Sequence, residues 1–224
     1  NDEATVAKTL ESLTWCDEMI VIDDASTDTT VAVAKKFTNK IFERPLDGDF
    51  AAQRNFGLSK AKGPGRNASQ SVAGGEWVLF VDSDEVVTPA LAKEIMSIVI
   101  PAKAGIHPRS NTGSPIGSGM TGERGFFIKR KDIMWGRELR HGEQGGMKLL
   151  RLAKKAAGTW IRLVHEVWDI KGPTAELQHP ILHFPHPSVA QYLEEMNQYS
   201  TLNASYFYKQ GVRPHWWHIL LYPA

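Results

Sequence analysis

The chain has 224 residues, 42% of them hydrophobic and 23% charged, which suits one generous globular domain with a buried core or such a domain with an extension. Its 26 Lys and Arg against 25 Asp and Glu lack the basic excess of a general nucleic-acid binder, so no nucleic-acid partner is expected. A single cysteine, Cys16, excludes an intrachain disulfide framework and favours a reducing, cytoplasmic setting.

In chain order, the first half alternates helix and strand patterns. Val6, Leu10 and Leu13 recur at helical spacing, and "EMIVID" follows as an apolar strand ending in Asp23 and Asp24. In "ASTDTTVAVAKKF", Ser26 or Thr27 can cap a helix with Asp28 in its first turn. "KIFER" reads as a strand, "DFAAQRNFGLSKA" as a helix and "EWVLFVD" as a strand. Thr88 then caps a helix with Pro89 at its first position and Leu91, Ile95 and Ile98 on one face. Regular alternation predicts an α/β fold with a mixed, mostly parallel sheet flanked by helices, whose ligand crevice lies beyond the carboxyl ends of the strands. Cys16, between Trp15 and Met19, is expected to be a packed thiol rather than a nucleophile.

Two stretches break the rhythm. Residues 62–75 and 101–124 are rich in Gly, Pro, Ser and Asn and read as surface loops, the second long enough to be an insertion. The second half offers strand patterns in "GFFIKR", "MKLLRL", "HEVWDI" and "ILHF". A helix follows, with Ser188 and Gln191 in a capping-box pattern and Tyr192, Met196, Tyr199, Asn203 and Tyr206 on one face. The tail "RPHWWHILLYPA" is apolar and aromatic; it reads equally as a peripheral membrane contact and as a core segment cut short. Since the chain opens on "NDEATVAKTL" without a Met, its true N-terminus is expected to lie upstream.

The carboxylates at the strand ends carry the chemistry. Residues two apart on a strand share a side, so Asp82 and Asp84 can face one point and offer oxygens to a hard cation such as Mg²⁺ or Mn²⁺. A bound cation would relieve their repulsion; without one the triplet is a solvated acidic turn serving the next helix, and Glu85 fits either account. Asp23 and Asp24 repeat the device, either as an Asx-turn or as acceptors for a ligand base or ribose. Arg54 fits the same crevice if its helix borders it, since a guanidinium neutralises a diphosphate bidentately.

"VIDDASTDTT", "QRNFGLSKA" and "GEWVLFVDSDE", in that order, resemble the signature of family 2 glycosyltransferases of the GT-A fold. The run from "FIKRKDIMWGRELRHGEQGGMKLLRL" through "VHEVWDI" to "ILHF" is similar to the branch of bacterial lipopolysaccharide-core β-glucosyltransferases. The resemblance implies an inverting enzyme with a nucleotide-sugar donor, expected to be a UDP-hexose because UDP-glucose is the branch's usual choice. It implies a divalent metal, a glycan or glycolipid acceptor, and work at the inner face of the cytoplasmic membrane. It places Asp23, Asp24, Arg54 and Asp82 at the nucleotide, Asp84 with Asp82 at the metal, and Glu166 as the general base. His165 is the rival base, and His183 is either a late metal ligand or a plain buried histidine. The catalytic domain would span residues 1–187, without the family's usual first strand, and the helix with its apolar tail 188–224. Gly145 and Gly146 stand where the branch tends to carry aromatic and Pro residues, which bears on the acceptor site.

Two other readings remain open at this point. One is a relative that binds a nucleotide sugar without turnover. The other is a DxD phosphotransferase, which "DSDEVV" fits poorly because that class needs a Ser- or Thr-bearing loop after the second Asp.

Overall fold

The computed structural model describes residues 1–62, 77–99, 122–141, 146–163, 166–185 and 188–217. The expected loop at 62–75 and the insertion at 101–124 fall almost wholly outside these, as do Gly145, His165, the end of the tail and the side chains of Tyr199 and Tyr206.

Helix α1 (Val6–Glu11) buries Val6 and Leu10 against Ala34, Val33 and Phe37, and it lies over the first βαβ unit. There β1 (Val21–Asp23) pairs in parallel with β2 (Ile41–Glu43), and α2 (Thr30–Ala34) makes the crossover. Neither Ser26 nor Thr27 caps α2. The helix begins later because the Asp28 carboxylate accepts from the Thr30 amide at 2.9 Å, so Asp28 stands ahead of the first turn instead of inside it. The Cys16 thiol is pushed up to about 11 by burial, with the charge of Asp17 adding, as suits a packed side chain.

Helix α3 (Phe50–Lys60) starts at Asp49, whose side chain accepts from the Ala52 amide at 2.8 Å. It crosses closely over β1: a methyl group added at Gly57 would stand 3.3 Å from Ile22 Cγ1 and 4.0 Å from the Phe80 ring. That approach places Arg54, one turn earlier, near the next strand end.

Strand β3 (Trp77–Leu79) is shorter than expected, and an unexpected strand, β4 (Glu85–Val87), follows the turn at Ser83 and Asp84. Helix α4 (Pro89–Val99) begins where the sequence places it, with Thr88 Oγ1 accepting from the Leu91 amide at 3.1 Å. Its Leu91 and Ile95 enter the main core.

The second half supplies β5 (Gly125–Met134), β6 (Arg137–Glu138), β7 (Lys148–Lys154), β8 (Gly158–Ile161), β9 (Val167–Ile170), β10 (Thr174–Glu176) and β11 (Ile181–His183). Seven strands form one sheet, in the order β3-β7-β5-β11-β4 with β10 and β6 also on β5. The α/β class and the mixed sheet are as expected. The expectation of a mostly parallel sheet does not hold: parallel ladders join β5 to β10 and β11, whereas β3–β7, β5–β7, β5–β6 and β4–β11 run antiparallel, because the second half returns through direct strand-to-strand pairings instead of helical crossovers. Two of the strands that the sequence left unread, β6 and β8, belong to hairpin-like pairs short enough to escape a periodicity signal. The core of this sheet joins Phe126, Ile128, Leu152, Leu177 and Ile181 to the buried face of α4.

Strands β8 and β9 form a separate antiparallel pair that approaches very closely at Gly158, where an added methyl would meet the Asp169 carbonyl oxygen at 1.8 Å. The pair stacks Trp160 on Trp168 with centroids 5.2 Å apart, and Phe80 meets both rings edge-on at 5.0 Å. Helix α5 (Val189–Lys209) closes the described fold, and its Ser188 cap accepts from the Gln191 amide at 3.2 Å.

Glu94, on α4, ties that helix to the turn before β11 by accepting from the amides of Gln178 and His179 at 2.8 and 3.0 Å and from His179 Nδ1 at 2.8 Å. Burial works to raise its carboxyl, but these donors win and hold it below the ordinary carboxylate range. A depressed folded-state value contributes stability above the unfolded value of about 4.3 and loses it as pH falls through the folded one. Glu94→Ala is therefore expected to cost about 1–2 kcal/mol at pH 7 in urea unfolding, with the gap to wild type closing below about pH 4.

Candidate functional site

The turn after β3 is knotted to itself. The Glu85 amide donates to the Asp82 carbonyl at 3.0 Å, and the Asp82 amide donates to Glu85 Oε2 at 3.0 Å. This points the Glu85 side chain inward, where it is fully buried, and turns the Asp82 carboxylate toward the crevice with 37% of its side chain exposed. A buried glutamate requires a partner. It is Arg151 of β7, 5% exposed, whose Nη2 donates to Glu85 Oε1 at 3.3 Å and to Asp82 Oδ2, while Nη1 donates to Asp82 Oδ1 at 3.3 Å.

Arg54 completes the cluster from the helix side. Its Nη2 donates to Asp82 Oδ1 at 3.0 Å and its Nε to Glu166 Oε1 at 2.8 Å. The guanidinium lies 4.8 Å from the Trp160 ring centroid and 5.8 Å from that of Phe80, so the β8–β9 aromatic stack forms its floor. Burial alone would raise the Asp82 carboxyl, yet Arg151 and then Arg54 hold it well below the usual range. Glu85 moves the other way: burial pushes it up, against the pull of Arg151 and with help from the Asp82 charge. For Arg151 burial works against the charged form, and the two carboxylates more than restore it.

Asp84 faces a different set of partners. Its Oδ2 lies 3.1 Å from His183 Nε2, and His183 Nδ1 lies 2.6 Å from Oδ1 of the buried Asp132. Sheet register makes this row: His183 of β11 stands opposite Glu85 of β4 on one side and Asp132 of β5 on the other. Arg130 Nε pairs with Asp132 at 2.9 Å. Burial opposes the imidazolium, but the Asp84 contact raises the His183 pKa above its ordinary value. The Phe184 amide donates to the Asp84 carbonyl at 2.9 Å, so the turn and the end of β11 are held together.

Asp82 and Asp84 were expected to face one point. The chain turns at Ser83 and Asp84 instead of staying extended, so the two-residue rule for strands does not apply, and the carboxylates take separate partners. No group of three or more His, Cys, Asp or Glu converges as a metal cluster among the described residues. The donor set still fits a divalent cation with two protein ligands, Asp84 oxygen and His183 Nε2, the remaining positions being left to phosphate oxygens and water. Asp132 on Nδ1 is the carboxylate that commonly orients a metal-ligating imidazole. Asp82, with both oxygens accepting from guanidinium groups, is already occupied.

At the end of β1, Asp23 is 7% exposed and its Oδ2 accepts from the amide of Ser26, three residues on, at 3.0 Å, a local turn one residue wider than the expected Asx-turn. Asp24 is exposed, with Oδ1 accepting from the Leu46 amide at 2.7 Å. The sequence reading missed Arg151 and Asp132 altogether. A lone arginine inside the apolar run "KLLRLA" was the available signal for the first, because a charge at an inward strand position needs a buried partner.

The glycosyl transferase family 2 model matches residues 1–151. Over its full length the chain is 26% identical to the lipopolysaccharide core biosynthesis glycosyltransferase LpsC of Rhizobium meliloti, of which the match covers 74%. It is 33% identical, over 44% of its length, to the poly(ribitol-phosphate) beta-N-acetylglucosaminyltransferase TarS of Staphylococcus aureus, and 34% identical, over 45%, to the uncharacterized glycosyltransferase YibD of Escherichia coli. These matches span only 17% of TarS and 27% of YibD.

Arg151→Met would leave Glu85 buried and Asp82 half-paired. The expected cost is about 3–5 kcal/mol in denaturant unfolding, with a substantial part recovered when Glu85→Met accompanies it.

Proposed function

The chain belongs to glycosyl transferase family 2, and from that premise we propose that it transfers a hexose, with inversion, from a uridine-diphosphate sugar to a glycan or lipopolysaccharide-core type acceptor in a reaction dependent on Mg²⁺ or Mn²⁺. The observation that carries the proposal is the row Asp84–His183–Asp132, a carboxylate and an imidazole side by side with the imidazole oriented by a second, buried carboxylate. The names of LpsC and TarS support the transferase class, and that of LpsC supports the acceptor type.

In this reading Asp84 and His183 hold the cation, while Asp132 keeps the proton on Nδ1 so that Nε2 can offer its lone pair. When bound, the cation neutralises the departing diphosphate. Arg54 and Asp82 meet the diphosphate and ribose, and Asp24 with Asp23 lies toward the nucleobase. Glu166 is the proposed base: Arg54 fixes one of its oxygens, and the carboxylate accepts the proton of the attacking acceptor hydroxyl. Residues 1–187 form the catalytic unit in this proposal, and 188–224 an extension. Trp216 and Trp217, 74% and 43% exposed, support a peripheral contact of that extension with the inner face of the cytoplasmic membrane.

The test is nucleotide release from a panel of nucleotide sugars with Mn²⁺ or Mg²⁺. Asp132→Asn, which keeps shape and loses charge, is expected to lower metal-dependent release about 10–100-fold, and Asp84→Ala at least as much. Full metal-dependent turnover by a folded Asp84→Ala protein overturns the metal assignment. Donor binding by the wild-type protein without any sugar release points to a non-catalytic binder.

A further inference from the structure

A cleft of about 250 Å³ opens beside Asp84, with both polar and apolar lining. Thr5, just ahead of α1, and Lys8 of α1 contribute polar groups, and Ile133, Trp135 and Phe184 apolar surface. Trp135 sits at the two-residue tip of the β5–β6 hairpin, and its indole is 53% exposed. Hairpin tips of this length favour Asn-Gly because both central residues take positive φ; here Trp135 has φ +49° and Gly136 φ +79°. A bulky side chain in that conformation is an outlier, and such strain gathers at sites where the side chain is used. The ring is also oriented from outside: Tyr192 of α5 meets it edge-on, with centroids 6.3 Å apart at 89°.

A pyranose has the complementary shape, one face of C–H groups and a rim of hydroxyls. The C–H face suits an exposed indole, and the rim suits hydroxyl and ammonium groups. We propose that Trp135 is the stacking platform for the acceptor sugar, seating one hexose-like ring in the cleft between the hairpin tip and α1. This rests on the glycosyl-transfer reading, because it takes Asp84 as the donor side of the same cleft. Substitution by Asn removes the ring and gives the turn its favoured residue; substitution by His keeps an aromatic ring in a residue that tolerates positive φ.

The experiment titrates wild-type, Trp135→Asn and Trp135→His proteins with two probes, uridine diphosphate plus Mn²⁺ and the deacylated oligosaccharide of a lipopolysaccharide core. The expected result is at least tenfold weaker oligosaccharide binding by Trp135→Asn, less than threefold by Trp135→His, and uridine diphosphate affinity within threefold throughout. Equal oligosaccharide affinity in the Asn variant and wild type overturns the proposal, as does absence of oligosaccharide binding by the wild type, or a loss confined to uridine diphosphate. Failure of the wild type to bind uridine diphosphate with Mn²⁺ counts against the transferase reading instead, and the oligosaccharide series is read separately from it.

Discussion

One buried carboxylate organises the crevice. Glu85 has no access to water, so the fold must supply a cation, and Arg151 supplies it from the centre of an apolar strand. A guanidinium carries five donors in a fixed fork, more than Glu85 alone accepts from it here, and both Nη groups also reach Asp82. Asp82 is thereby positioned from within. A second guanidinium, Arg54, then reaches it from the helix across the crevice and brings Glu166 with it. Four elements distant in sequence meet through charges that would each be costly alone.

The aromatic stack explains why Arg54 can stand at that junction. Its side chain is 14% exposed, too little for water to satisfy it, and the faces of Trp160 and Phe80 cover the carbon side of the guanidinium while the carboxylates take the edge. The stack in turn needs β8 and β9 to approach closely, which the absence of a side chain at Gly158 permits. Local packing in a part of the chain with no charged motif therefore sets the position of a residue that the motif contains.

Local signals in the sequence were enough for much of this. The caps at Thr88 and Ser188, the helical faces of α1 and α4 and the strand end at Asp23 follow from patterns within a few residues, whereas β3 stops at Leu79, short of the strand end expected at Asp82. The cross-strand row of Glu85, His183 and Asp132 does not, because it depends on which strands far apart in the chain become neighbours. Periodicity carries no information about sheet order. Arg151 was legible as an oddity without a partner, and Asp132, lying among charged neighbours in "KRKDIM", gave no sign of its burial.

The turn at Ser83 and Asp84 changes what a DxD triplet means here. On an extended strand both carboxylates would compete for one cation, and both would repel each other before it arrived. With the turn, Asp82 is neutralised by guanidinium groups that belong to the fold, and Asp84 alone is left to the histidine side of the crevice. The triplet thus divides contacts that its spacing suggests are shared: Asp82 ties the end of β3 to β7 and α3 while its exposed part still faces the crevice, and Asp84 turns to His183. Glu85 is the reason the separation is stable, since the same arginine that its burial demands is the one that occupies Asp82.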